Sequence, residues 1–474
     1  ASTRDRAGPI VDARFLMARP FQPLGTPAHR PRPARERSPW QSVAILVVVA
    51  CFALYAWQAV TAGEPVGGGL LLMPMLFLVT APVLVGARRS EPTFDLAGLM
   101  ATGLALRCVG AYFRWANAAD AHIYHRVGAE LAVSFRSLDF AVDTGRPVPG
   151  TGGLRYIAGL VSVPANSDEF LTFLIFTWFA FWGSVLFYRA FTTALPDADR
   201  SRYAKLIFLW PALVFWPSSI GKESWMMLTL GLAMLGAARA LRRQRGGYSL
   251  LVAGMLGMSL VRPHVAFLAL AAFAVAFFVG RRADARPGVI TPGSVGKVAG
   301  LVVVLALGGL VAGRTAELLG TEDLSPSSLE SARARTGVMT GQGGSQFPTF
   351  DPNSPVGYTK SLVTTLVRPF PTEAQGSEQW ATTAEGLLLA ALLLTSWRRL
   401  LTIPRRLRRE PYVALALAYV LLFAYTFSAI SNFGILARQR VQVLPFVFVL
   451  LALPAVLRPS AVEPSGPVAT SAPD

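Results

Sequence analysis

Apolar blocks of roughly 17–22 residues recur along this 474-residue chain, the length at which a helix crosses the hydrocarbon of a bilayer. Backbone groups in lipid have no water to bond, so a crossing segment must satisfy its own amides as an α-helix. Barrel strands would be shorter and would alternate in polarity. Twelve blocks read as spans: 41–62, 69–87, 95–115, 170–191, 204–219, 224–241, 248–261, 264–280, 297–313, 382–397, 411–428 and 441–457. The composition agrees, with 53% hydrophobic and 15% charged residues, too little charge to cover a soluble protein of this size. The expected fold is all-α, a polytopic membrane protein with about 12 transmembrane helices in residues 41–457.

Three places modify that layout. Arg262-Pro263-His264 interrupts the run 248–280, whose first half is short for a full crossing and reads as a tilted helix or re-entrant hairpin. The stretch 154–165 is apolar but too short to cross and reads as a helix lying at the interface. Residues 358–367 form an amphipathic or re-entrant segment at the end of the loop 314–381.

The net charge of +17 comes mainly from Arg in short loops between apolar blocks, the positive-inside pattern rather than a nucleic-acid footprint. Loops 88–94, 192–203, 242–247, 281–296 and 398–410 all carry Arg, while the short loop 63–68 has no Lys or Arg. One orientation satisfies all five loops. Both termini are then cytoplasmic in a plasma (inner) membrane, and the long loops 116–169 and 314–381 lie outside. Residues 1–40 contain eight Arg and read as a disordered basic tail rather than a signal peptide. Residues 458–474 read as a second disordered tail. Cys51 and Cys108 each sit inside an apolar block and imply no disulfide framework.

The chemistry-bearing residues collect at the breaks between blocks. Asp120 follows the third span, with His122, Tyr124 and His125 close behind. A helix starting near Asp120 puts Asp120 and Tyr124 on one face, and Asp120 also suits the N-cap of that helix. An Asp at a membrane surface can serve as a general base on a sugar hydroxyl or hold a divalent cation, magnesium or manganese, that binds phosphate. The plainer reading is a cap with interfacial aromatics. In Trp216-Pro217-Ser218-Ser219-Ile220-Gly221-Lys222-Glu223, Lys222 suits a phosphate at a helix start, and Glu223 suits the positive end of the dipole. A mutual surface ion pair is the alternative there. Arg262 and His264 flank Pro263, and an Arg at membrane depth faces a cavity or a partner. Arg368 precedes the tenth span; Arg438 and Arg440 precede the last, on the side that should be poor in Arg, where a planar guanidinium suits phosphate and snorkelling is the bland account. The topology sends these distant residues to one face. Five cations there, Lys222, Arg262, Arg368, Arg438 and Arg440, imply an anionic ligand, for which a lipid-linked phosphate is natural in a membrane.

Asp120 after an early span, followed by a long outer loop with an interfacial helix and with Tyr124 and His125 nearby, resembles the GT-C superfamily of membrane glycosyltransferases. The stretches Pro217 to Glu223 and Asn432 to Arg440 look like segments of bacterial polysaccharide-assembly membrane proteins. The resemblance spans the layout of 95–457. It implies a GT-C-like fold with interfacial helices in two outer loops, a catalytic Asp120 acting as base, and basic residues holding a polyprenyl-phosphate-linked sugar, with a glycan or lipid as acceptor. In the family the acidic loop follows the first span; here it follows the third, so the first two spans form an added hairpin. Ala119 stands where the family often has a second acid. A polymerase joining lipid-linked repeat units, a flippase, and a non-catalytic subunit are the rival expectations.

Overall fold

The computed structural model describes residues 38–62, 66–282, 292–321, 325–341 and 345–455. The two expected tails fall outside those residues except for 38–40. Among the described residues the chain is helical, with no strand and one isolated bridge between Gln346 and Asn432.

Three long helices come first: α1 (Pro39–Ala62), α2 (Gly69–Ser90) and α3 (Leu96–Asn117). Next are α4 (Ala119–Arg136), α5 (Thr151–Ser162) and α6 (Glu169–Ala194). The short α7 (Arg200–Leu209) and α8 (Pro211–Phe215) lead into α9 (Lys222–Leu241), α10 (Gly247–Ser259), α11 (Pro263–Arg282) and α12 (Pro292–Leu319). Then come α13 (Pro326–Thr340), α14 (Pro355–Val367), α15 (Ser377–Thr395), α16 (Trp397–Leu400), α17 (Ile403–Arg406), α18 (Pro411–Phe427), α19 (Phe433–Arg440) and α20 (Leu444–Leu451).

Among the described residues five helices, α1, α2, α3, α6 and α9, are long and apolar enough to cross a membrane; two bent pairs, one built on α15 and one joining α19 to α20, raise that to seven. Where an expected span does not appear as one long helix among the described residues, the causes are local. Pro211 has no N–H and forces Trp210 into an extended conformation (ψ 127°), which splits the expected 204–219 span into α7 and α8. Within the expected final span 441–457 the helix is the short α20, which follows α19 through a 56° bend, and the tenth ends in a 62° bend after α15. The segments 248–261, 264–280 and 411–428 do form apolar helices, but these have only 10–17 qualifying residues. The segment 297–313 lies in α12, beside the undescribed 283–291. The segments 154–165 and 358–367 fall largely in helices, α5 and α14.

Helices α3, α6 and α9 form the core: 67% of the apolar window of each is buried, against 17% for α1 and 22% for α2. Glycines set the closeness of this core. A Cβ on Gly183 of α6 would lie 2.3 Å from the Met227 carbonyl oxygen of α9, and one on Gly231 of α9 would lie 2.6 Å from the Gly183 carbonyl oxygen. With no hydrophobic drive between helices in lipid, small residues that let backbones touch supply the packing. Arg107, fully buried in α3, donates to the carbonyls of Gly103 (3.0 Å) and Phe208 (3.1 Å) and to Ser184 Oγ (2.9 Å). It thereby occupies a carbonyl at the end of α7, where the Pro211 break interrupts the helical ladder.

Candidate functional site: a cationic cluster at converging helix ends

The cluster begins where α3 gives way to α4. Ala118, in a non-helical conformation, is the N-cap of α4 and offers no side-chain bond. Asp120 is therefore not the cap; it sits in the first turn, where the helix dipole favours a carboxylate. Tyr124 follows one turn later, and the charges of Asp120, Glu223, Arg262 and Arg438 all act on its phenol. Burial, more than the two acids, raises the Tyr124 pKa above its ordinary value, while the two arginines oppose the rise.

Asp120 Oδ2 accepts from Arg438 Nη1 at 3.2 Å, joining residues 318 positions apart. Both side chains are accessible, 65% exposed for Asp120 and 39% for Arg438. Arg438 comes from α19, started by the Asn432 side chain accepting from the Ile435 amide at 3.2 Å. Its guanidinium lies 5.4 Å from the centroid of the Trp216 ring, in the bend between α8 and α9.

Helix α9 opens at Gly221, with Lys222 and Glu223 in the first turn. Glu223 accepts from Arg262 Nη2 at 2.8 Å, and this pair is nearly closed off, with Arg262 8% and Glu223 13% exposed. Arg262 is presented by the break between α10 and α11, so the interruption noted in the sequence is where a partner is met. Lys222 Nζ donates to Thr151 Oγ1 at 3.1 Å, tying α9 to the first residue of α5. The same region of α5 is pressed on the α10 end, since a Cβ on Gly153 would lie 2.1 Å from the Leu260 carbonyl oxygen. His264 lies within reach of the charges of Arg262 and Lys222, and its Nδ1 is buried without a hydrogen-bond partner among the described residues.

Other expected site residues stand elsewhere or are already engaged. His122 Nδ1 shares a 2.8 Å hydrogen bond with Glu169 Oε1, and the other carboxylate oxygen accepts from Trp115 Nε1 at 3.2 Å. His125 lies on that side too; burial lowers its pKa, against the raising effects of Glu169 and Asp168. Arg368 Nε lies 2.9 Å from both oxygens of Glu373, and its guanidinium stacks 4.5 Å from the Phe347 ring. Burial would raise the Glu373 pKa, but the hydrogen bonds from Arg368 and the Phe370 amide hold it below the usual value. These groups border a separate cavity of about 210 Å³, which Ser345, Gln379 and Phe433 also line. Arg440, 2% exposed, donates to the carbonyls of Thr365 (2.9 Å) and Arg368, at the end of α14.

One member of the cluster carried no signal in sequence. Arg114, in the last turn of α3, heads the stretch Arg114 to Arg126 that contains Asp120, but no spacing in it assigns Arg114 a role. In the fold it is 7% exposed, with its guanidinium 5.3 Å from the Phe215 centroid and 5.1 Å from that of Trp216. The charges of Arg438, Glu223, Glu378 and Asp120 act on it. Its neighbours Phe215 and Trp216, 101 and 102 positions on, reveal this setting. The cluster sets Arg114, Lys222, Arg262 and Arg438 against Asp120, Glu223 and Glu378, four cations against three acids and so a surplus of one positive charge. Among the described residues no group of three or more His, Cys, Asp and Glu is arranged to hold a metal ion.

No family model matches the chain, and no curated protein or solved structure matches it.

Proposed function

We propose that this chain is a membrane glycosyltransferase with a GT-C-like arrangement, which moves a sugar from a polyprenyl-phosphate-linked donor to a cell-envelope glycan or lipid acceptor. The observation that carries the reading is the Asp120–Arg438 contact. It joins an accessible carboxylate to a cationic cluster at the ends of apolar helices, where a lipid-borne phosphate would arrive. Asp120 takes the proton of an acceptor hydroxyl, and the resulting oxygen attacks the anomeric carbon. The bond from that carbon to the phosphate oxygen breaks, the phosphate leaves with the electron pair, and the anomeric configuration inverts. Positive charge matters most at that moment, because charge grows on the departing oxygen. The fuller layout of about twelve crossings, with both termini cytoplasmic and the cluster at the outer face of the plasma membrane, belongs to the same proposal. Accessibility labelling of single Cys variants from either side tests the orientation.

The test of chemistry uses purified protein in lipid, a polyprenyl-phosphate-linked sugar and mixed glycan acceptors. Asp120→Asn is expected to lower turnover by at least about 100-fold, the usual contribution of a general base. Unchanged turnover removes Asp120 from the reaction. Product length separates single-sugar transfer from polymerisation of repeat units.

A further inference from the structure

The cations of the cluster are not equally free to meet a ligand. Arg262 is spent on Glu223; outside the cluster, Arg368 is spent on Glu373 and Arg440 on two backbone carbonyls. Arg114 makes no ion pair and no hydrogen bond among the described residues, although it is more than nine-tenths buried, and its Nε is enclosed without a partner. A guanidinium largely removed from water with no carboxylate in direct contact is costly, even though Glu223, Glu378 and Asp120 act on it from farther away. Here the cost is compounded, because Arg438 brings a second positive charge to the same indole, with the two guanidinium carbons 5.1 and 5.4 Å from the Trp216 centroid. Arg438 itself is held by one 3.2 Å contact to a largely exposed Asp120, which an anion can displace, and its Nε is likewise buried without a partner.

We propose that Arg114 and Arg438, set against Trp216, form a two-guanidinium clip for a phosphate-ester oxyanion, and that the bound oxyanion takes Arg438 from Asp120. The inference rests on the glycosyltransferase reading only in placing this anion on the donor; the clip itself follows from the unpaired guanidinium. Planar guanidinium groups present paired N–H donors that match phosphate oxygens, whereas an ammonium offers a point charge. Release from Arg438 leaves Asp120 free to accept a proton. The Lys222–Thr151 contact lies outside the clip and positions α5.

The experiment measures binding to the full chain in nanodiscs, titrated in separate arms with inorganic phosphate and with a polyprenyl phosphate dispersed in the bilayer. Arg114→Gln is expected to weaken binding at least tenfold in the arm that binds. Arg114→Lys is expected to recover only part of it, and Arg314→Gln, at an exposed pair with Glu317 on α12, to change it less than threefold. Saturation in the lipid arm alone identifies a lipid headgroup as the source; saturation in both identifies the free ion as sufficient. Melting temperatures accompany each variant, and if Arg114→Gln fails to fold, Arg438→Gln and Trp216→Leu carry the same tenfold expectation. Folded variants that bind both probes as the parent does, or a parent that binds neither, overturn the clip. Turnover with unaltered binding in Arg114→Gln sinks the clip and leaves the enzyme reading standing; a clip that binds in a protein without turnover does the reverse.

Discussion

Removing the Glu223 carboxylate is the sharpest test of how the cluster is held. Arg262 Nη2 and Glu223 Oε1 are 2.8 Å apart, and the two side chains are 8% and 13% exposed. Arg262 Nη1 is already buried without a partner, so Glu223→Ala leaves the guanidinium without an ion pair among the described residues. Breaking a buried pair from one side costs about 3–5 kcal/mol, most of it the penalty of the stranded charge. Replacing both members removes that penalty, so Glu223→Leu with Arg262→Met is expected to fall within about 1 kcal/mol of the parent. Reversible unfolding in mixed micelles, run as a double-variant cycle, reads the difference. The reasoning fails if Glu223→Ala costs less than about 1 kcal/mol, or if the double variant is as unstable as the sum of the two singles.

The accessible pair behaves differently: Asp120→Asn should change stability by no more than about 1 kcal/mol, and a larger loss in the same unfolding assay would make Asp120 a structural residue. Because burial lowers the His125 pKa, the fold resists a proton that the unfolded chain accepts. Stability should then be flat above the unfolded value of about 6.5 and decline as the pH falls below it. His125→Gln should lessen that decline, and an unaltered pH profile of melting temperature would contradict it. Gly183→Val should destabilise by about 1–3 kcal/mol or more, since even a Cβ would lie 2.3 Å from the Met227 carbonyl oxygen. A parent-like melting temperature would mean that α6 and α9 are not in backbone contact.

Block length alone located α1, α2, α3, α6 and α9, because an uninterrupted apolar run of spanning length leaves few alternatives to a helix. It did not locate breaks such as Trp210–Pro211, where a single ring turns one expected crossing into two short helices. The cluster was legible where charge interrupts an apolar run, as at Asp120, Lys222, Glu223, Arg262 and Arg438. The pairing within it was not. That Arg438 meets Asp120 and Arg262 meets Glu223, 318 and 39 positions apart, depends on how separate helices converge. Arg114 was hidden for the same reason, because its two aromatic neighbours are a hundred residues away.

The glycine contact between α6 and α9 also fixes the angular position of charges it never touches. Gly231 lies eight residues beyond Glu223, about 12 Å along the α9 axis. With the two backbones interlocked there, α9 cannot slide by a residue against α6. Such a slip would swing Lys222 and Glu223 by about 100° around the axis, away from Thr151 and Arg262. A bulky residue at Gly183 or Gly231 should therefore open the Lys222–Thr151 and Arg262–Glu223 contacts while every ionisable side chain remains in the sequence.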